Sequence, residues 1–162
     1  MSNLKIETYL NLILVISLLA LTIAYYIELI IGHQPCNLCL IERIPYGLAM
    51  VLIILNHISI KNEKFIILLL ILVFFFSLVI SFYHFGIEQD IFEESSVCGL
   101  KDASNIVSKE ELLKQLQVKN VSCKDVTFRI FGFSLTSFNI IISLILVIFL
   151  SKIFKNYDKF KK

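Results

Sequence analysis

Four long apolar runs dominate the sequence and limit what the chain can fold into. They cover Tyr9–Ile31, Leu40–Ile58, Phe65–Tyr83 and Phe133–Phe154. An α-helix rises about 1.5 Å per residue, so about 20 apolar residues cross the roughly 30 Å hydrocarbon layer of a bilayer. An isolated strand in lipid would leave its backbone groups unpaired. We therefore predict an all-α membrane protein, a bundle of four transmembrane helices.

The composition supports a membrane protein and argues against a nucleic-acid partner. Hydrophobic residues make up 57% of the chain, above the roughly 45–50% typical of soluble domains. The formal net charge is only +2, and no basic stripe interleaved with aromatic residues is present. We predict one membrane domain over residues 1–162, with outer loops at about 32–39 and 85–132.

The distribution of lysines predicts the orientation. Five lysines lie at the end of the last apolar run or beyond it: Lys152, Lys155, Lys159, Lys161 and Lys162. By the positive-inside rule they place both termini in the cytoplasm, although basic residues in the long second loop weaken the bias. We expect the first run to remain as a helix rather than to be cleaved, because it is longer than the apolar core of a signal peptide.

The second outer loop contains a pattern typical of a helix start. Ser108 and Glu111 have the spacing of a capping box, and Leu112, Leu113 and Leu116 follow on one helical face. The pattern predicts a short amphipathic helix. It would serve either as a local packing element or as a helix lying on the outer membrane surface.

All four cysteines fall at or beyond the outer ends of the predicted helices. Cys36 and Cys39 form a Cys-x-x-Cys pair, whereas Cys98 and Cys123 lie far apart in the second loop. Their placement indicates an oxidising compartment, and the sequence leaves all three pairings open. Structural zinc sites usually combine two close cysteine pairs, so we expect no metal. The remaining interpretations are two structural disulfides or redox-active pairs.

The neighbours of the first pair favour redox chemistry. Cys39 lies at the predicted start of the second helix, where free N–H groups would lower the pKa of its thiol. Arg43 lies one helical turn further and would stabilise negative charge, or it would anchor the helix at the headgroups or pair with Glu42. His84 closes the third helix at the same level, either as a proton relay or as an interfacial packing residue.

Three segments together carry a family resemblance: Pro35-Cys36-x-x-Cys39-x-x-Glu42-Arg43, Tyr83-His84-x-Gly86-x-Glu88-Gln89, and the later Cys98 and Cys123. In this combination the chain resembles the DsbB disulfide bond formation proteins, and the resemblance spans all four helices.

The resemblance implies a relay of electrons. A soluble, periplasmic dithiol oxidase of the DsbA type would be reoxidised by a Cys98–Cys123 disulfide, with Cys98 forming the mixed disulfide. Electrons would then pass to Cys36 and Cys39 and on to a membrane quinone, either ubiquinone or menaquinone. The chain would act as a quinone-dependent oxidoreductase of the bacterial inner membrane, with its cysteine loops in the periplasm.

The resemblance also implies a quinone site. Cys39 would contact the quinone with Arg43 beside it, and His84 is a further candidate for the same site. The alternative from a different functional class is a non-catalytic membrane assembly or scaffold protein, whose outer loops are held by two static disulfides.

Overall fold

The computed structural model describes residues 3–58, 63–93, 98, 122–124, 129–130 and 132–157. The amphipathic helix predicted around Ser108–Leu116 lies outside these residues. The helices are α1 (Asn3–Leu29), α2 (Asn37–Ile41), α3 (Ile44–Ile58), α4 (Glu63–Glu88) and α5 (Leu135–Lys155). Two short strands, β1 (Arg129–Ile130) and β2 (Phe133–Ser134), precede α5.

Four helical segments are long and apolar enough to cross a membrane. They are Ile6–Leu29, Asn37–Ile58, Glu63–Glu88 and Leu135–Lys155, where Asn37–Ile58 combines α2 and α3. The predicted four-span, all-α membrane fold is therefore confirmed.

The helices pack around a core of aliphatic and aromatic side chains. α4 packs against α5 and α3, and α3 also packs against α1. Ile13, Ala49, Leu70, Phe74 and Leu150 are fully buried between them. Many large apolar side chains on the outside of the bundle remain exposed. An apolar exterior of this kind suits a helix bundle whose solvent is lipid.

The second span is not one regular helix. Its first turn, α2, begins at Asn37 rather than at the predicted residue 40, with Cys36 as the N-cap. The helix breaks at Glu42 and Arg43, and α3 restarts at Ile44. Pro45 follows directly, and a proline is tolerated in a first turn because its missing N–H would have no helical partner there.

The third span is longer than the sequence indicates. α4 continues to Glu88, five residues beyond the predicted end at Tyr83. The chain then folds back, and the N–H groups of Ile91 and Phe92 donate to the carbonyl of Gly86. A β-carbon at position 86 would overlap the Phe92 ring, so glycine allows this close approach.

A two-stranded antiparallel hairpin leads into the last span. Arg129 pairs with Ser134 and Ile130 with Phe133. Gly132 in the turn has a φ of 85°, a conformation that glycine adopts without strain. Ser134 then caps α5, accepting a hydrogen bond from the Ser137 N–H at 3.3 Å, so α5 begins two residues after the predicted start.

Candidate active site

The predicted redox residues meet at one end of the bundle, where α1 and α4 end and where α2 and α5 begin. A cavity of about 340 Å³ opens there, and Cys36, Cys39, Arg43 and His84 all line it. The walls away from these side chains are largely apolar residues of α1 and α5. The structure thus brings together the first cysteine pair, the arginine and the histidine that sequence analysis selected.

Cys36 and Cys39 lie in close contact, with no disulfide drawn between them. Their sulfur atoms lie 2.7 Å apart, and the Cys36 sulfur also accepts a hydrogen bond from the backbone N–H of Cys39 at 3.3 Å. The Nε2 atom of His84 lies 3.5 Å from the same sulfur. The hydrogen bond from the Cys39 thiol, followed by the hydrogen bond and charge of His84, lowers the pKa of Cys36 to about 5 against the opposing effect of burial.

This geometry corrects one prediction. Cys39 was expected to be the thiol activated by the helix start. Cys36 is instead the N-cap, and its sulfur receives the N–H that the first turn leaves free. A hydrogen bond to a thiolate stabilises the charged form, so the backbone activates Cys36.

The environment of His84 fixes its tautomer. The ring is 1% exposed, and Nδ1 lies 2.8 Å from Glu42 Oε1 and 3.2 Å from Thr136 Oγ1. The Thr136 hydroxyl donates its hydrogen to Glu88 Oε1 at 2.7 Å. The Glu42 carboxylate and the Thr136 hydroxyl oxygen can therefore only accept a hydrogen bond from Nδ1, so Nδ1 carries the ring hydrogen. Nε2 is left to exchange a proton with Cys36.

Glu42 connects His84 to a wider polar network inside the bundle. The carboxylate is 7% exposed, and its Oε2 accepts a hydrogen bond from Asn139 Nδ2 at 3.0 Å. Asn139 also donates to Ser81 Oγ at 2.7 Å and accepts from the Tyr46 hydroxyl. Both N–H groups and the carbonyl oxygen of the Asn139 amide therefore have partners. Asn139 holds one oxygen of Glu42 and His84 holds the other, so the orientation of the carboxylate is fixed.

Glu88 provides a second buried carboxylate beside the histidine. Its Oε1 lies 3.8 Å from His84 Nε2. Among the described residues, its buried Oε2 has no hydrogen-bond partner. Glu88 also lines the cavity. An unpaired carboxylate oxygen at this position is available to a proton or to a bound group.

Arg43 contacts two residues near the end of α1. Its guanidinium forms an ion pair with Glu28 and lies 4.9 Å from the centre of the Tyr25 ring. Glu42, the alternative ion-pair partner considered from the sequence, binds His84 instead. Because the helix breaks at Arg43, the one-turn argument that related this residue to Cys39 does not hold, although both residues line the cavity.

The second cysteine pair lies against the first. Cys98 and Cys123 form a disulfide, the pairing that the resemblance implies. The disulfide packs in one buried cluster with Cys36, Leu38 and Ile87, and Cys123 reaches the cavity. Although the sequence places both residues in an outer loop, Cys98 and Cys123 are only 2% and 3% exposed.

Sequence analysis missed several polar residues of the site. Thr136 and Asn139 lie inside the predicted fourth apolar run, and Glu28 lies inside the first. Glu88 was part of a motif but received no role. These residues could have been selected from the sequence, because a polar or ionisable side chain within a membrane span usually faces the bundle interior and marks a functional site.

The cavity fits the quinone that the resemblance implies. Its volume is at the lower end of the roughly 300–1,000 Å³ typical of small-molecule sites. Apolar side chains such as Leu21, Ile27 and Ile142 would face the ring and the start of an isoprenoid tail. The Arg43 guanidinium lies on the cavity wall and has N–H groups from which a quinone oxygen could accept, whereas the N–H of the His84 ring is already bound to Glu42.

Comparisons with known proteins identify the family of this chain. An uncharacterized protein of Rickettsia prowazekii (strain Madrid E), RP370, is 32% identical over 153 residues, which cover 89% of this chain and 86% of the relative. No solved structure matches the chain. The family model of the disulfide bond formation protein DsbB matches residues 7–153, and the chain therefore belongs to the DsbB family.

Proposed function

We propose that this membrane protein reoxidises a DsbA-type dithiol oxidase and passes the electrons through two cysteine pairs to a membrane quinone. We further propose that it forms a single membrane domain of the bacterial inner membrane, with the cysteines on the periplasmic side. The lysines at the C-terminus support this orientation.

The observation that carries the proposal is the packing of both cysteine pairs beside one cavity. The Cys98–Cys123 disulfide shares a buried cluster with Cys36. Cys36, Cys39 and Cys123 all line the cavity. A relay needs two sulfur pairs that can exchange with each other, and it needs one of them to face the final electron acceptor. Two static disulfides, the scaffold alternative, would not require the first pair to line a cavity beside the second.

The electron transfer balances as two thiol–disulfide exchanges and one oxidation. A thiolate of the partner attacks Cys98, the Cys98–Cys123 bond breaks, and the second partner thiol resolves the mixed disulfide. The resulting Cys98 and Cys123 thiols then reduce a Cys36–Cys39 disulfide by the same exchange. The product has a Cys98–Cys123 disulfide and a reduced Cys36–Cys39 pair.

Oxidation of Cys36 and Cys39 releases two electrons and two protons. A quinone in the cavity would supply the acceptor for both. The proton that Cys36 releases when it forms the thiolate can be held by His84 Nε2, because Nδ1 already carries a hydrogen. The Glu42 carboxylate then stabilises the imidazolium that forms. Arg43, held by Glu28 and Tyr25, keeps a permanent positive charge on the cavity wall.

A quinone-reduction assay with purified protein and a reduced DsbA-like dithiol tests the proposal. The wild-type protein should reduce quinone at the expense of the dithiol, and Cys39→Ser should abolish the reaction. The matched control is His57→Gln, since His57 lies near the opposite end of α3 and should not matter. Quinone reduction at the wild-type rate by Cys39→Ser would contradict the assignment.

A further inference from the structure

We propose that Cys36, Cys39 and His84 form a redox-gated binding site for a borderline-soft divalent cation, Zn²⁺. Cys36 Sγ, Cys39 Sγ and one nitrogen of the His84 ring all lie within 4.8 Å of one another. Two thiolates and an imidazole are ligands that zinc prefers, and Cys-x-x-Cys is a usual spacing for them. The proposal goes beyond the electron relay and depends on the geometry of these three side chains.

The ligand separations are close to those that a tetrahedral ion requires. Zinc–sulfur bonds of about 2.3 Å and zinc–nitrogen bonds of about 2.0 Å imply separations of roughly 3.5–3.8 Å between ligand atoms. Cys36 Sγ and His84 Nε2 are 3.5 Å apart. The two sulfurs are 2.7 Å apart, so they would move apart by about 1 Å. A cysteine side-chain rotation suffices for that shift.

The histidine is already oriented as a zinc ligand. Nε2 points towards the thiols, and Nδ1 donates to Glu42 Oε1 at 2.8 Å. Histidines that bind metals almost always donate their other N–H to a carboxylate, a carbonyl or water, which fixes the ring and raises its basicity. Asn139 holds the second oxygen of Glu42 at 3.0 Å, so the outer shell of the site is also in place.

The fourth position of the ion would face the cavity. Three protein ligands and one open position are typical of zinc sites that exchange water or another ligand. Glu88 lies beside this position, with Oε1 3.8 Å from His84 Nε2 and a buried Oε2 that lacks a partner among the described residues. The open cavity also gives the ion an entry path.

The oxidation state of the cysteine pair would control binding. Zinc replaces the protons that the two thiols still carry, and each such proton is released on binding. A Cys36–Cys39 disulfide has no thiolate to offer, so oxidation removes two of the three ligands. Conversely, a bound ion occupies both sulfurs and prevents their oxidation. The expected consequence is that Zn²⁺ inhibits the protein only when this pair is reduced.

Cobalt spectroscopy of the full-length protein in detergent tests the proposal. Reduced protein, freed of reductant under anaerobic conditions, is titrated with Co²⁺. We expect thiolate-to-cobalt charge-transfer bands and the visible bands of tetrahedral cobalt, saturating at one ion per chain. Zn²⁺ should abolish both sets of bands by displacement. Protein in which Cys36 and Cys39 are oxidised should give neither.

Variants assign the ligands. His84→Ala should weaken the affinity more than Glu42→Gln, for which the loss of a second-shell carboxylate predicts a decrease of roughly 10- to 100-fold. His57→Ala is the matched control, because His57 lies near the opposite end of α3, and should bind as the wild type does. The double variant Cys98→Ser/Cys123→Ser should retain the bands, which excludes a site on the second pair.

A second measurement also uses the wild-type protein. Zn²⁺ should protect Cys36 and Cys39 of the reduced wild-type protein from alkylation, as read by mass spectrometry of the labelled peptides. Absence of cobalt bands in the reduced protein, bands that persist in folded His84→Ala at wild-type affinity, or alkylation that Zn²⁺ does not slow would each overturn the proposal. The quinone-reduction assay without added metal is independent of all three results.

Discussion

Replacing the Glu42 carboxylate by an amide tests the hydrogen-bond chain that links Cys36 to the interior of the bundle. Glu42→Gln keeps the shape of the side chain but removes its charge. One end of the new amide faces His84 Nδ1–H, and the other faces the Asn139 amide N–H. Both neighbours are hydrogen-bond donors, but the new amide has only one oxygen, so one of the two donors loses its acceptor.

The magnitude follows from these two contacts. Hydrogen bonds to charged groups contribute about 1.5–3 kcal/mol, and neutral ones about 0.5–1.5 kcal/mol. The imidazolium formed when His84 accepts a proton thus loses about 1–1.5 kcal/mol of stabilisation, which corresponds to roughly tenfold in rate. The lost contact with Asn139 should cost only about 0.6–1.7 kcal/mol, the range measured between membrane helices. The variant should therefore fold but react slowly.

Two rates check this prediction: quinone reduction with a dithiol donor, and alkylation of Cys36 in the reduced protein with a metal chelator present. Glu63→Gln is the matched control, because the Glu63 carboxylate accepts a hydrogen bond from Tyr157 at the other end of the bundle. Glu42→Gln should reduce quinone about tenfold more slowly. Its Cys36 should lose reactivity towards alkylation about one pH unit higher than in wild type as the pH falls, because the imidazolium beside the thiolate is less stabilised. The control should match wild type in both assays. Quinone reduction within twofold of wild type together with an unshifted alkylation profile, at matched expression, would refute the role of this carboxylate.

Three further predictions follow from the site. The pKa of Cys36 is lowered to about 5, so its alkylation rate should stay level as the pH falls and drop only near that value. A short peptide with the same cysteine pair is the control, and it should lose reactivity steadily below the ordinary thiol pKa. Gly86→Ala should displace the Phe92 ring and destabilise the protein by about 1–3 kcal/mol. The double variant with Phe92→Ala, compared with Phe92→Ala alone, should recover most of that loss in thermal unfolding. Arg43→Lys should retain part of the quinone-reduction activity and Arg43→Met less, because lysine keeps the charge but not the planar group that contacts Glu28. Equal activity of both variants and wild type would reduce Arg43 to an anchor.

The membrane architecture could be predicted because hydropathy alone determines it, but the ends of the helices could not. A polar side chain ends an apolar run in the sequence without ending the helix, as His84 shows in α4, which continues to Glu88. These residues stay helical since their polar groups find partners inside the bundle. The break at Glu42 and Arg43 is also invisible to hydropathy, because apolar residues continue on both sides of it.

Individual residues of the site could be predicted from the sequence, but the hydrogen bonds between them could not. The Cys-x-x-Cys pair and His84 could be placed at one membrane level from span lengths. Which sulfur receives the first free N–H depends on side-chain rotation, and the choice of Cys39 over Cys36 was therefore wrong. Thr136 binds Glu88 of α4, 48 positions away in the sequence, and Asn139 binds Glu42 at the α2–α3 break, 97 positions away. Only the folded bundle brings α5 beside both.

The burial of the second cysteine pair limits how a partner can reach it. Cys98 and Cys123 are 2% and 3% exposed, yet a thiolate must approach a disulfide sulfur directly to displace its neighbour. In the proposed relay, the sulfur that meets the partner must first leave the cluster that it shares with Cys36, Leu38 and Ile87. Burial against Cys36 favours exchange within the chain, and exposure favours exchange with the partner. The two steps therefore require two positions of the same disulfide, and partner binding has to supply the free energy that separates them.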